Sequence, residues 1–334
     1  MILHASPYTV NLIESNDCDL YHRISRKVMR FTWLADRTET IVTPFQQYIP
    51  EEYKIPENKP VGTFEDVCLQ RCKQLLETGK PLYLQWSGGI DSTLMLTIFI
   101  TSGLPLDQVT ICMNPDSIRE NPNFFYKHIL GKFPLVATEK HVSSDNDGIT
   151  IQAEHADQII SGTLLTKVDE DFAKLPANDR NISKLCMKWR FTRVEIAVFS
   201  EMMKASSKHS PRPIETMADF AWWFNFNFRW LNQKEKYRSR IGYNNHFETF
   251  YSSHDIQRWS IQNPSPSKDI FRKTIYNFTN DEYYSLHKNK WQSMGKLFFT
   301  RKPHLVESDL TCHFKVASSL MERFYIKDND FIGW

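Results

Sequence analysis

Leu84-Gln85-Trp86-Ser87-Gly88-Gly89-Ile90-Asp91-Ser92-Thr93 is the stretch on which the reading of this chain turns. An apolar run from Pro81 to Trp86 ends in a Ser-Gly-Gly turn, and an apolar segment from Ser92 to Thr101 follows. The predicted order is strand, tight turn, helix. Two adjacent glycines let the backbone turn sharply and present N–H groups with no Cβ in the way. The helix points the positive end of its dipole at the same spot. Ser87 and Ser92 add hydroxyl donors. Such a loop suits an anion such as a nucleotide phosphate. Asp91 is the discordant member, because a carboxylate repels phosphates unless it holds a Mg²⁺ that bridges to them. The plainer alternative is a glycine turn in which Asp91-Ser92 merely caps a helix. No Gly-Lys-Ser/Thr follows, so this is not a Walker A loop.

Working outward, Phe64, Val67, Cys68, Cys72, Leu75 and Leu76 recur at helical spacing before the loop, and Gly79 stops that helix. After the loop, Gly103-Leu104-Pro105 breaks the next helix. Val109 to Met113 reads as a second strand, Phe124 to Phe133 as a helix and Leu135 to Val142 as a third strand. This alternation predicts an α/β fold with a parallel sheet and right-handed crossovers. Beyond about residue 180 the pattern predicts no further strands, only long helices over Cys186 to Lys204 and Glu215 to Leu231 and shorter ones near 254–262 and 268–278. The expected organisation is an N-terminal extension over 1–60, a nucleotide-binding α/β domain over 61–175 and a mostly helical substrate-binding region over 176–334. At the end, Lys296 to Thr300 fits a strand and Phe314 to Phe324 a helix.

Composition narrows the class. Of 334 residues, 41% are hydrophobic and 24% charged, which is ordinary for a soluble globular chain. A net charge of +2 is too balanced to argue for nucleic-acid binding by itself. The start, Met1-Ile2-Leu3-His4, lacks the basic and apolar regions of a secretory signal. The longest apolar stretches fall far below the roughly 20 residues of a membrane span. Cysteines at 18, 68, 72, 112, 186 and 312 form no Cys-x-x-Cys pair, and read as reduced, buried thiols of a cytoplasmic protein.

The Ser87 to Ser92 pattern, Ser-Gly-Gly-x-Asp-Ser, resembles the PP-loop of the ATP-pyrophosphatase family, whose members cleave ATP to AMP and pyrophosphate. The resemblance implies a twisted parallel sheet of the adenine nucleotide alpha hydrolase (HUP-like) type, ATP and Mg²⁺ as cofactors, and nucleotide contacts at Leu84, Ser87, Gly88, Gly89, Asp91, Ser92 and Met113. Three later segments resemble, in order, the synthetase domain of asparagine synthetase and β-lactam synthetase. Ala153-Glu154-His155-Ala156-Asp157-Gln158-Ile159-Ile160-Ser161-Gly162 is similar to Gly-x-Gly-Ala-Asp-Glu-x-x-Gly-Gly, with both glycines before Ala156 replaced. It makes Asp157 a magnesium ligand beside Asp91, after an apolar strand where open α/β sheets bind ligands. Phe247-Glu248-Thr249-Phe250-Tyr251-Ser252-Ser253-His254-Asp255 is similar to Val-Glu-x-Arg-x-Pro-Phe-Leu-Asp and makes Glu248 the residue that assists a nitrogen nucleophile. The arginine and the Pro-Phe-Leu are missing here. Pro266-Ser267-Lys268-Asp269-Ile270-Phe271-Arg272 is similar to a Lys-x-x-Leu-Arg helix and makes Lys268 the counter-charge to pyrophosphate.

The resemblance spans roughly residues 62–290 and implies an amide-forming ligase that adenylates a small carboxylate for attack by ammonia or an amine. The amidotransferase domain of glutamine-dependent relatives does not precede the synthetase region, so free ammonia, an amine or a separate ammonia source is expected. A homo-oligomer is compatible with this. Two other readings compete. A nucleic-acid-modifying PP-loop enzyme, adenylating a base on tRNA or DNA, fits the interleaved run Trp222, Trp223, Phe226, Phe228, Arg229, Trp230, Lys234, Lys236, Arg238 and Arg240, which otherwise reads as core aromatics followed by a solvated basic face. Thiolating members of that group need paired or catalytic cysteines, and no such pair is present. A nucleotide-binding protein without turnover fits the missing arginine and Pro-Phe-Leu.

Overall fold

The computed structural model describes residues 16–29, 34–41, 49, 51–138, 147–160, 170–231, 246–263 and 268–281. The chain divides into two compact units built from interleaved segments. A sheet unit comprises Lys73–Gln152, Glu235–Glu248 and Phe271–Trp334, and a helical unit comprises Met1–Cys72, Ala153–Lys234 and Thr249–Ile270. The sequence reading expects consecutive segments over 1–60, 61–175 and 176–334.

The sheet unit is α/β, with a five-stranded parallel sheet in the order β3-β2-β1-β4-β5. β1 (Leu82–Gln85), β2 (Val109–Met113), β3 (Leu135–Ala137) and β4 (Ile149–Gln152) are short, and β5 is His246–Thr249. In the central ladders Leu82 faces Val109 on one side and Ile149 on the other, and Leu84 faces Ile111 and Ile151. All six are buried and, two apart along each strand, they line one face of the sheet. β2 and β3 are added on one side of β1, β4 and β5 on the other. The order therefore reverses between β1 and β4, and crevices at such reversals, outside the carboxyl ends of the strands, are where open α/β sheets bind ligands. At those ends the side-chain amide of Gln152 donates to Gln85 Oε1.

α1 (Asn16–Met29) is the first described helix, and α2 (Phe64–Leu76) ends where predicted: Gly79, at φ 65°, donates its N–H to the Leu76 carbonyl at 3.1 Å. α3 (Ile90–Thr101) is buried along nearly its whole length, which explains why its apolar residues show no single face. α4 (Pro115–Glu120) starts at a capping box between Asn114 and Ser117, with Pro115 in its first turn.

The helical unit is held by two buried charges next to each other in sequence. Asp36 accepts from the backbone N–H groups of Thr38, Thr40 and Ile41 at 2.8–3.0 Å, and from Asn227 Nδ2 at 2.7 Å. Arg37 donates to the carbonyls of Tyr53, Phe226 and Lys54 and to Gln257 Oε1, and its guanidinium lies 4.9 Å from the Phe226 ring and 4.5 Å from that of Trp230. A planar fork with several donors tied to carbonyls fixes more segments than an aliphatic side chain can.

Several expectations need correction. The single helix over Cys186 to Lys204 is two, Asp179–Lys188 and Arg193–Ser207. The chain turns at Arg190, φ 59°, and Thr192 restarts the helix through a capping box with Glu195. Strands do not end near residue 180, because β5 follows; four residues are too few for periodicity to reveal. The helices expected over 215–231 and 124–133 both widen into π-helix, at Phe224–Phe228 and Phe125–Ile129. The third strand is described only as Leu135–Ala137, and the elements expected at 296–300 and 314–324 lie outside the described residues. No described helix is long and apolar enough to cross a membrane.

Gly88, at φ 73°, leaves no room for a side chain: a Cβ would lie 2.4 Å from the Ser117 carbonyl oxygen and 2.8 Å from Glu120 Cβ. Gly79 has a similar φ of 65° but open space around it. We predict that Gly79→Ala costs roughly 1–2 kcal/mol, the left-handed penalty alone. Gly88→Ala should cost about 1–3 kcal/mol more, from overpacking. Urea denaturation of the two variants checks this; equal losses would mean that the loop does not pack on α4 as described.

Candidate functional site

The Ser-Gly-Gly loop sits directly beyond the carboxyl end of β1. Its backbone leaves the sheet with the Trp86 N–H still bonded to the Cys112 carbonyl at 2.9 Å, and the Trp86 indole donates to Thr93 Oγ1 at 3.1 Å. Strand end and helix start are thus pinned together. Inside the turn, the Ser87 N–H donates to Ser92 Oγ at 3.1 Å, the two serine hydroxyls lie 3.0 Å apart, and the Gly89 N–H reaches Ser87 Oγ at 3.3 Å. Ser87 is exposed, while Gly89 and Asp91 are half-buried.

The start of α3 decides between the two readings of Asp91-Ser92. The N-cap is Gly89, with extended φ −73° and ψ 164°, a residue that has no side chain to cap the helix. Asp91 and Ser92 are already inside the first turn. Helix capping therefore does not account for them. A twelve-residue helix begins without a side-chain cap at the reversal point of the sheet, flanked by an exposed serine and a half-buried carboxylate. First-turn N–H groups lack intrahelical partners, and an anion supplies them. Leu84 and Met113, also expected to contact nucleotide, have buried side chains, so only their main chains are available for such a contact. Glu248 is half-buried on β5, between buried Phe247 and Thr249.

In the helical unit the structure brings together two of the predicted residues. Lys268 Nζ lies 2.7 Å from Asp157 Oδ1, with side chains 13% and 29% exposed. Asp157 sits on a rigid turn that leaves β4 within five residues. The His155 carbonyl accepts the N–H groups of Gln158 at 3.0 Å and Ile159 at 3.1 Å, and Ser260 Oγ donates to the Ile159 carbonyl at 2.6 Å. Trp222 Nε1 in turn donates to Ser260 at 2.8 Å. Lys268 immediately precedes the helix Asp269–Thr279, where a cation gains nothing from the dipole and gains much from a carboxylate.

His155 itself was given no role by sequence reasoning. It occupies one of the positions where the PP-loop synthetase pattern has glycine, and it adopts φ 70° there. Non-glycine residues in this region cost on the order of 1–3 kcal/mol and persist only where surroundings hold them. Both ring nitrogens are held: Nε2 lies 2.8 Å from the Trp230 carbonyl oxygen and Nδ1 lies 2.9 Å from Thr249 Oγ1. A histidine where the resembled pattern has glycine is the feature of the sequence that marks this turn.

The aromatic run proposed to stack bases does not face solvent. Trp222, Trp223, Phe226, Phe228 and Trp230 are each no more than 1% exposed. Trp222 stacks on Phe226 at 4.8 Å and Phe226 packs on Trp230 at 5.3 Å. They are core, which removes the stacking platform; Lys234, Lys236, Arg238 and Arg240 lie outside the described residues. Among the described residues no group of three or more His, Cys, Asp or Glu is placed to hold a metal, and Cys68, Cys72, Cys112 and Cys186 are buried thiols outside any disulfide. Asp91 and Asp157 belong to different units. Comparison of the chain with models of protein families, with curated proteins and with solved structures gave no match.

Two predictions follow from these contacts. A double-mutant cycle with Asp157→Asn and Lys268→Met, read by chemical denaturation, should give a coupling of about 1–3 kcal/mol, the range for a charge-assisted hydrogen bond shielded from much of the solvent. No coupling would mean that the pair is a surface contact. Burial pushes the thiols of Cys112 and Cys186 up to about 12. A raised value keeps them protonated through the neutral range, so iodoacetamide at pH 8 should leave both unmodified in the native protein, as peptide mass spectrometry would show.

Proposed function

We propose that the chain is an ATP-pyrophosphatase-type ligase of the HUP-like fold, which adenylates a small carboxylate and passes the acyl group to ammonia or an amine. The observation that carries this is the strand-turn-helix at Ser87–Ser92: a Ser-Gly-Gly turn and a helix start with no side-chain cap, at the reversal point of a parallel sheet.

Each group has a definite task in this chemistry. Ser87, Gly88, Gly89 and Ser92 supply donors to phosphate oxygens. Magnesium takes one or two protein carboxylates and otherwise waters and phosphate oxygens, so the lack of a three-residue cluster among the described residues is compatible with it. The half-buried Asp91 in the first turn of α3 fits such a ligand in the sheet unit. In the helical unit Asp157 is the corresponding carboxylate, its charge balanced by Lys268 at 2.7 Å. When bound, Mg²⁺ would neutralise charge on the triphosphate. Lys268, a compact ammonium, offsets negative charge on the departing pyrophosphate. Glu248 takes the proton that an attacking amine must lose. A phosphate-bearing ligand and its metal bring opposite charges in a matched pair, which lets Asp157 and Lys268 exchange each other for ligand at little net electrostatic cost.

The test is product analysis. Purified protein is incubated with Mg²⁺, ATP and a panel of amino acids with ammonia or simple amines, with Asp91→Ala in parallel. The expected result is AMP and pyrophosphate, stimulated by one acid and lowered about 100-fold or more in the variant. ADP and phosphate, formed equally by the variant, would contradict the reading. Bound ATP without products from any acid or nucleic acid would make the chain a nucleotide-binding protein.

A further inference from the structure

We propose that His155 is a positioning residue: its imidazole, fixed at both nitrogens, holds the left-handed turn that aims Asp157 at Lys268. The cation-binding consequence rests on the function proposed above; the positioning rests on geometry alone.

A carbonyl oxygen only accepts, so the 2.8 Å contact to Trp230 places a hydrogen on Nε2. In the neutral ring Nδ1 then accepts from the Thr249 hydroxyl at 2.9 Å. These partners come from two separate segments of the helical unit, and the ring also packs on Trp230 with centroids 4.3 Å apart. The imidazole is 99% removed from solvent, at 1% relative exposure, so it has no freedom to swing out. Thr249 is itself anchored, its carbonyl accepting from Ser252 Oγ at 2.9 Å and Arg71 Nη2 at 3.3 Å.

What the ring holds is the backbone. Residue 155 at φ 70° is a conformation that glycine adopts freely and histidine adopts only under restraint. Its carbonyl accepts the Gln158 and Ile159 N–H groups, so a change of φ at 155 turns the plane on which Asp157 is carried. Asp157, two residues on, meets Lys268 at 2.7 Å in the held orientation. The histidine thus does by side-chain hydrogen bonding what a glycine would do by lacking a Cβ.

The comparison that isolates this is His155→Gly against His155→Ala in the full-length protein. Both remove the ring and its packing on Trp230, but only glycine retains easy access to positive φ. The first readout is the stability coupling between Asp157→Asn and Lys268→Met in each background. We expect the alanine background to lose more than half of it and the glycine background to keep most of it. Should His155→Ala not fold, His155→Gln replaces it with the same ranking expected. Unchanged coupling in the alanine background, or equal loss in both, would overturn the positioning role. The second readout is the Mg²⁺ dependence of AMP formation, where His155→Ala should raise the Mg²⁺ concentration for half-maximal rate about tenfold and His155→Gly much less. If the wild-type protein forms no AMP, the ligase reading fails while the coupling still decides the role of His155.

Discussion

At Gly88 the chain leaves β1 with φ 73° and passes so close to α4 that a Cβ would lie 2.4 Å from the Ser117 carbonyl oxygen. Only glycine satisfies both conditions, the positive φ and the contact. The consequence is geometric. The backbone reverses within three residues, α3 starts at once, and its first turn lies at the carboxyl edge of the central strand. Were the turn longer, Ser87 and Ser92 would not lie 3.0 Å apart, and the helix start would not share its surroundings with the strand end. The chemistry proposed for the sheet unit depends on that one backbone constraint.

The helical unit solves a comparable problem by different means. Its turn at His155 also needs positive φ, but the side chain there is large and polar, and two hydrogen bonds and an aromatic neighbour hold it in place. Elsewhere in that unit Asp36 and Arg37 are buried charges that bond to backbone groups and amides. Buried polar groups that are fully bonded are costly to rearrange, so they specify one arrangement of the loops they join. Around them lies a dense aromatic core, which accounts for the high aromatic content of 13% without appeal to base stacking.

The fold was legible where local physics and tertiary environment agree. Glycines at 79 and 103 ended helices, and Val109–Met113 read correctly as a strand because its apolar run sits between turn signals. It was illegible where the deciding interaction is non-local or short. β5 has four residues and is recognisable only beside β4. The break at Arg190 interrupts an otherwise continuous helical pattern, and in the sequence it shows itself only through the Thr192 to Glu195 capping box. The interleaving of the two units could not be seen at all, since periodicity reports faces of elements and not which elements share a core. For the site, residue types named the loop, but its missing helix cap, the Asp157 to Lys268 pair and the strained His155 are properties of geometry.

The central claim is that the Ser87–Ser92 loop receives the phosphates of ATP. Hydrogen–deuterium exchange with and without Mg²⁺ and ATP tests it most directly, because the backbone N–H groups of residues 87–92 are the proposed ligands. The account predicts strong protection confined mainly to peptides covering the end of β1 and the first turn of α3, absent with Mg²⁺ alone and reduced in Asp91→Ala. Binding of ATP with protection elsewhere and unchanged exchange across residues 87–92 would contradict it.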